Sequence, residues 1–132
     1  MNALDIHNSS SCWNSEGIEQ GSSRVGTDRT NQWIRLDFGR RITPVEVRIQ
    51  FQAGFAGESC ILQGTNEEKD WDWDTVDEME FEDVHEVQIH ALETADRSRP
   101  MYSSLKLAFS DLTDFYGRVT IYRLEIWGYE CI

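Results

Sequence analysis

The stretch KDWDWDTVDE, residues 69–78, contains three aspartates at alternate positions, beginning with Asp70. Carboxylates at this spacing match the first three side-chain ligands of an EF-hand calcium loop. That loop also needs glycine at its sixth position and a bidentate glutamate at its twelfth, and these positions hold Thr75 and Phe81. Threonine resists the positive φ angle that glycine allows, and phenylalanine cannot bind a metal ion. The stretch is therefore predicted to be an acidic, solvent-exposed rim and not a metal cage.

Residues that could support catalysis are few. The chain has three histidines and three cysteines, but it has no CxxC pair, no G-x-S-x-G elbow and no glycine-rich phosphate loop. A nucleophile at Cys60, assisted by a histidine nearby in space, is one hydrolase hypothesis that this composition leaves open. Buried structural thiols are commoner than nucleophilic ones. The sequence therefore favours a protein that is not an enzyme.

The charge balance narrows the classes of partner. Among 132 residues, 24 are acidic and 12 are basic, which gives a net charge of −12. Such a surface repels nucleic acids and anionic membranes and is compatible with proteins, neutral sugars or divalent cations. The chain shows no signal peptide and no apolar run long enough to span a membrane. We predict an intracellular protein with reduced cysteines.

The elements that would position a site are predicted to be β-strands. Apolar and polar residues alternate in QWIRLDFG and VEVRIQF, and similar patterns recur in CILQG, HEVQIHAL, SLKLAFSD and RVTIYRLEIWG. A period of two indicates strands with one buried and one exposed face. The polar segments 14–31 and 65–83 are predicted to be long exposed loops. Residues 1–132 are therefore expected to form a single all-β domain, a β-sandwich or jelly roll.

Particular motifs carry a family resemblance. The opening ALDIHNSSSCWNS, the strand QWIRLDFG and the closing strand IYRLEIWG resemble the pattern of discoidin-type domains. Four further motifs resemble a narrower intracellular group, the orphan nuclear-receptor-associated proteins. These motifs are CWNS, IQFQAGF, CILQG and TDFYGRVTIYRL. The similarity runs from about residue 3 to residue 128 and is poor in both polar segments.

The resemblance implies both a fold and a function. It implies a galactose-binding-like jelly roll of about eight antiparallel strands, whose first strand is either absent here or contributed from elsewhere. The narrower group implies a non-enzymatic nuclear protein that binds an orphan nuclear receptor and damps its transcriptional activity. The wider superfamily leaves a carbohydrate-binding module, which uses the loops at one end of the jelly roll, as the alternative.

The resemblance also implies a structural calcium site, although no cofactor is required for the proposed activity. In calcium-binding members, the aspartate of the first turn lies beside the glutamate of the last strand, and these are Asp5 and Glu125 here. Backbone carbonyls near Asn8 and Ser11 would complete an oxygen shell. The alternative is that Asp5 caps a turn and that Glu125 lies on an exposed strand face.

A candidate partner-binding surface is formed by loop residues. Phe55 lies between glycines, and Phe115 and Tyr116 lie just before the last strand. Aromatic residues at loop tips have no local partner that buries them, so they could be hot spots for a protein partner. Alternatively, they fold back and plug the end of the jelly roll. Arg118 is expected to pair with Asp114 and fix this loop, with direct ligand contact as its second possible role.

The tryptophans are interpreted as framework. Trp13, Trp33 and Trp127 are predicted to anchor the core, because large aromatic residues commonly do so in small β-sandwiches. By the family resemblance, one of Trp71 and Trp73 packs inward and the other faces solvent with the neighbouring aspartates.

Overall fold

Nine antiparallel β-strands make up the part of the chain that the structure describes. The computed structural model describes residues 2–7, 13–14, 23–28, 31–66, 72–92 and 101–130. None of these residues lies in a helix that could cross a membrane. The strands, in chain order, are β1 (Asn2–His7), β2 (Trp13–Asn14), β3 (Ser23–Asp28), β4 (Asn31–Phe51), β5 (Gly57–Thr65), β6 (Asp74–Glu80), β7 (Gln88–Ala91), β8 (Tyr102–Leu112) and β9 (Thr120–Glu130).

Strand β4 is central to the topology. Its first part, beginning at Asn31, pairs with β3 and β8, and its second part, ending at Phe51, pairs with β9 and β7. Between these parts Gly39 has a φ of 68°, a conformation that favours glycine. The strand order is β1-β9-β4-β8-β5-β6, and the sheet folds over on itself as a jelly roll. The predicted all-β class and jelly-roll architecture are confirmed.

The two halves of the folded sheet enclose one hydrophobic core. Leu36 and Val47, two of the inward residues of β4, are at most 4% exposed, as the alternating pattern predicts. At the end of β4, the Phe51 ring packs edge-on against the rings of Phe81 and Phe109, with centroids 5.8 and 5.9 Å away. This geometry adds about 0.5–1.5 kcal/mol per pair beyond the burial of apolar area. It fastens the two halves together at one end.

Two segments that were predicted to be loops contain strands. Residues 14–31 include β3 and residues 65–83 include β6, so both loop predictions are wrong over these strands. Within the described part of the chain, β3 pairs only with β4, and β6 pairs only with β5. Backbone hydrogen bonds hold such edge strands, and charged side chains on them prevent unwanted pairing. Their polar composition is therefore compatible with strand structure.

Candidate functional site

Three loops meet at the end of the jelly roll where Phe51 lies. They join β4 to β5 (residues 52–56), β6 to β7 (residues 81–87) and β8 to β9 (residues 113–119). We refer to these three loops together as the loop end. The predicted partner-binding residues all lie in the first and third of these loops.

Hydrogen bonds connect the three loops to one another. The Asp83 carboxylate accepts a hydrogen bond from the backbone N–H of Gly54 at 2.8 Å. On the other side, Ala56 donates its N–H to the Thr113 hydroxyl at 2.9 Å and accepts the Thr113 N–H at 3.0 Å. Asp83 and Thr113 were not predicted from the sequence, because one more acidic or hydroxyl residue in a polar loop carries no distinctive signal.

Asp114 organises the loop between β8 and β9. Its Oδ2 accepts hydrogen bonds from the backbone N–H groups of Tyr116 and Arg118, both at 3.1 Å, and from the Arg118 Nε at 3.0 Å. The predicted Asp114–Arg118 ion pair is therefore confirmed. Hydrogen bonding to the Arg118 side chain holds the pKa of Asp114 below its ordinary value of 3.8. Gly117 completes the turn with a φ of 74°, which a residue with a side chain rarely adopts.

Arg118 also links two of the loops through aromatic contacts. Its guanidinium carbon lies 5.2 Å from the ring centroid of Phe55 and 5.4 Å from that of Tyr116. These distances are within the range of cation–π attraction. Because Asp114 holds the same guanidinium, one ion pair fixes the positions of an aromatic ring from each loop.

The outermost rings of the loop end face solvent. Phe115 is 81% exposed and Tyr116 is 63% exposed, whereas Phe55 is half-buried. The rings of Phe115 and Tyr116 pack edge to face with centroids 5.1 Å apart. The alternative that these two residues plug the jelly roll is therefore wrong. A fixed and exposed aromatic pair is suited to burial against a partner.

The predicted calcium ligands are only partly described. Asp5 lies in β1, and its backbone pairs in register with Ile126, the residue after Glu125. The side chain of Asp5 lies outside the described part of the structure, as do Asn8 and Ser11 altogether. Among the described residues, no group of three or more histidine, cysteine or carboxylate side chains could hold a metal ion. Calcium binding at these positions stays a prediction.

Glu125 is enclosed by its neighbours. The residue is 8% exposed, so the alternative that it lies on an exposed strand face is wrong. Its Oε1 accepts a hydrogen bond from the Trp127 indole at 2.8 Å, and its Oε2 lies 3.2 Å from the Arg123 Nε. A calcium ion at this carboxylate would have to compete with both contacts.

The described tryptophan side chains lie outside the core. Trp127 packs beneath the guanidinium of Arg48, 4.3 Å from its ring centroid. The Lys106 ammonium lies 5.8 Å from the ring centroid of Trp33 and 4.5 Å from that of Trp73. All three tryptophans are half-buried on outward faces. The prediction that Trp33 and Trp127 anchor the core is wrong, since they are covered by basic side chains instead.

The DWDWD stretch is described only from Asp72 onward. The carbonyl oxygen of Asp72 accepts a hydrogen bond from the Thr65 hydroxyl at 2.8 Å, while its side chain is exposed. The following Trp73 does not enter the core. Trp71, like the side chain of Trp13, lies outside the described part, so an inward position of Trp71 stays a prediction.

The environment of Cys60 opposes nucleophilic chemistry. Its side chain is 1% exposed in the core, and burial raises the pKa of its thiol far above the usual value. The thiol therefore stays protonated at neutral pH, whereas the thiolate is the nucleophile. The His85 ring packs against Tyr122, and His90 pairs with Asp77 at 3.0 Å.

Comparison with curated proteins establishes the family of the chain. It is 36% identical to the nuclear receptor 2C2-associated protein of Danio rerio over 121 residues, which cover 92% of this chain and 74% of the relative. It is 33% identical to the Homo sapiens protein of the same name over 117 residues, which cover 89% and 71%. This chain belongs to the nuclear receptor 2C2-associated protein family. No protein-family model matches it.

Several solved structures share the fold of this member of the nuclear receptor 2C2-associated protein family. The chitosan-binding module 1 of a Paenibacillus sp. IK-5 chitosanase/glucanase superposes with a TM-score of 0.64 at 16% identity, covering 97% of this chain and all of the module. CBM62 of Clostridium thermocellum Xyl5A has the same TM-score at 15% identity and covers 98% of this chain and 99% of that module. At such low identities, these similarities establish the jelly-roll fold alone.

Proposed function

We propose that this protein is a non-catalytic interaction module that binds a protein partner through the loop end. The observation that carries the proposal is the exposure of Phe115 and Tyr116 on a loop whose conformation is fixed by Asp114 and Arg118. Because the backbone of this loop is already fixed, a partner can bury the two rings at a lower cost in conformational entropy. Arg118 contacts the rings of both Phe55 and Tyr116 and so links the pair to the neighbouring loop.

The partner class comes from the family. The relatives are named for their association with nuclear receptor 2C2, and we propose a receptor of this kind as the partner of the present chain. On this proposal the protein acts in the nucleus and damps the transcriptional activity of the receptor it binds. The protonated and buried thiol of Cys60 supports a non-catalytic role.

A carbohydrate-binding module is the second candidate. An exposed ring such as Phe115 could stack on a sugar, and the modules that share this fold are named for carbohydrate binding. A sugar site also needs hydrogen-bonding groups around the ring. Asp114 and Arg118, which lie in the same loop as Phe115, already bind each other, and Asp114 also accepts hydrogen bonds from the loop backbone. The loop end therefore fits a protein partner better than a sugar.

Affinity capture tests the proposal directly. The immobilised protein is incubated with a nuclear extract, with and without excess free monosaccharides, and the retained proteins are identified by mass spectrometry. We expect a nuclear receptor to be retained whether or not sugar is present. Retention of glycoproteins alone, released by one monosaccharide, would support the carbohydrate-binding alternative.

Substitutions locate the binding surface in the same assay. We expect Phe115→Ala combined with Tyr116→Ala to abolish receptor capture. The matched control is Tyr129→Ala, which removes another exposed aromatic ring (56% exposed) near the opposite end of β9. The control should retain the receptor. Undiminished capture by the double variant would show that the receptor binds elsewhere.

A further inference from the structure

The exposed aromatic pair lies in an acidic end of the described structure. The loop end and the strand termini that adjoin it, residues 52–59, 81–87 and 110–119, contain six carboxylates and one guanidinium. The carboxylates belong to Glu58, Glu82, Asp83, Glu86, Asp111 and Asp114.

Most of this negative charge is not neutralised by ion pairs within the described part of the chain. Asp114 is the one carboxylate of the six that forms an ion pair within the described part of the chain, and its partner is Arg118. Asp83 accepts a hydrogen bond from the uncharged N–H of Gly54 at 2.8 Å, and Asp111 accepts one from the Ser59 hydroxyl at 2.6 Å. The sole guanidinium of this end is thus already paired, and the remaining carboxylates are exposed.

An aromatic ring in a negative field attracts cations in two ways. The face of the ring carries partial negative charge, so a guanidinium or ammonium group is attracted to it. Surrounding carboxylates add a longer-range attraction that guides a basic partner toward the rings and repels an acidic one. The loop end shows the first attraction within the protein itself, because Arg118 lies against Phe55 and Tyr116. The exposed Phe115 offers a further ring to a cation from outside.

We propose that the loop end binds a basic segment of the partner protein, with an arginine or lysine side chain packed on Phe115 and Tyr116 and further basic residues facing Glu82, Asp83 and Glu86. This inference rests on the proposed function, since it names the chemistry of the partner at the same surface. These carboxylates would repel an acidic segment, and a neutral sugar would gain no long-range attraction from their net charge.

A peptide titration tests the inference. The probe is a short fluorescein-labelled peptide in which arginine alternates with serine, and its binding is followed by fluorescence anisotropy beside a matched glutamate–serine peptide. We expect only the arginine peptide to bind. Its Kd should rise at least about tenfold between about 50 and 300 mM sodium chloride, because salt screens exposed charges. Phe115→Ala should weaken its binding as well.

Two charge-neutralising variants distinguish a local site from the general acidity of the chain. The loop variant carries Glu82→Gln, Asp83→Asn and Glu86→Gln, in which the asparagine keeps an oxygen acceptor for Gly54. The control variant carries the same change in net charge at exposed positions before and within β6. Its substitutions are Asp72→Asn, Asp74→Asn and Glu78→Gln. We expect the loop variant to raise the Kd about tenfold and the control variant less than about twofold.

Three outcomes would overturn the inference. They are equal binding of the glutamate peptide, binding that salt does not weaken, and equal weakening by the loop and control variants. The proposed function is tested separately by receptor capture. Receptor capture that needs Phe115 but is unaffected by the loop variant would contradict the basic segment and leave the interaction module standing. Capture that survives loss of both rings would contradict the interaction site itself.

Discussion

Aromatic rings contact basic side chains both at the loop end and on the outer face of the folded sheet. The two regions differ in how far these rings are exposed to solvent. On the sheet, Trp127 is covered by Arg48 on its face and donates its indole N–H to the buried Glu125. At the loop end, Arg118 lies behind the aromatic residues, and Phe115 projects into solvent. We refer to the sheet group of Trp127, Arg48 and Glu125 as the Trp127 cluster.

The difference shows that a cation–π contact does not by itself identify a binding surface. In the Trp127 cluster, Arg48 also pairs with Glu46 at 2.5 Å. The cation, the ring and the carboxylates therefore all have interaction partners within the sheet. At the loop end, the ion pair between Asp114 and Arg118 is also internal, but it supports rings that have no cover of their own. The first arrangement stabilises the sheet and the second presents a surface.

The largest expected effect concerns the Trp127 cluster. We expect Trp127→Ala to lower the free energy of unfolding by about 2 kcal/mol, less than the roughly 3–5 kcal/mol typical of fully buried aromatic residues, because the ring is half-buried. Urea unfolding measures this change. Trp127→Phe, which keeps a ring without the indole N–H, is the control and should cost less. If Trp127→Ala were as stable as wild type, the Trp127 ring would contribute no more to stability than the exposed rings of the loop end.

Calcium provides the next test, because Glu125 belongs to the Trp127 cluster and is also a predicted ligand. Calcium at ten times its dissociation constant would stabilise the folded protein by about 1.4 kcal/mol. We expect Asp5→Ala to remove this stabilisation, as measured by thermal unfolding with and without calcium. Asp74→Ala, which removes an exposed carboxylate on β6, should retain it. An unchanged calcium effect in Asp5→Ala would exclude Asp5 as a ligand.

A smaller effect is expected from the ion pair at the loop end. Its Arg118 partner lowers the pKa of Asp114 below 3.8 in the folded protein, so folding favours the ionised form. The stabilisation is fully present above the unfolded pKa and is lost as the pH falls through the folded pKa. Wild type should therefore be more stable than Asp114→Asn at pH 7, and their melting temperatures should converge as the pH falls below 3.8. A difference that persists below the folded pKa would have another cause.

The smallest effect on the free energy of unfolding is expected for the exposed rings of the loop end. Phe115→Ala removes a side chain that is 81% exposed, and we expect the free energy of unfolding to change by less than about 0.5 kcal/mol. Chemical unfolding of Phe115→Ala and Trp127→Ala in parallel measures the loss of an exposed ring and of a half-buried ring in one experiment. A loss as large as that of Trp127→Ala would mean that Phe115 is part of the folded framework.

Hydrophobic alternation predicted the strands that build the core. Over most of their length, β4, β8 and β9 have apolar core residues at alternate positions because each has one face on the core. β6 escaped prediction because acidic residues dominate its sequence, although Val76 and Met79 on it pack against the core. The same alternation also indicates that Trp33 lies on the outer face of β4, because it is adjacent to the inward-facing Ile34.

The candidate site could be predicted in part. The spacing of Asp114 and Arg118 allowed their ion pair to be expected, since both lie in one short turn. The orientation of Phe115 and Tyr116 could not be predicted, because it depends on the positive φ of Gly117 and on hydrogen bonds to one carboxylate. Periodicity reports which face of a strand is buried, but it carries no information about the direction of a loop side chain.

The position of β4 has a consequence for how the chain folds. This strand pairs with β3, β7, β8 and β9, and its neighbours β8 and β9 come from residues 102–130. Most of its hydrogen bonds therefore cannot form until distant parts of the chain have been synthesised. Such non-local pairing slows folding and makes the two halves depend on each other. Amide protons in the paired parts of β4, on either side of the exposed residues 39–41, should exchange with solvent only when the entire domain unfolds.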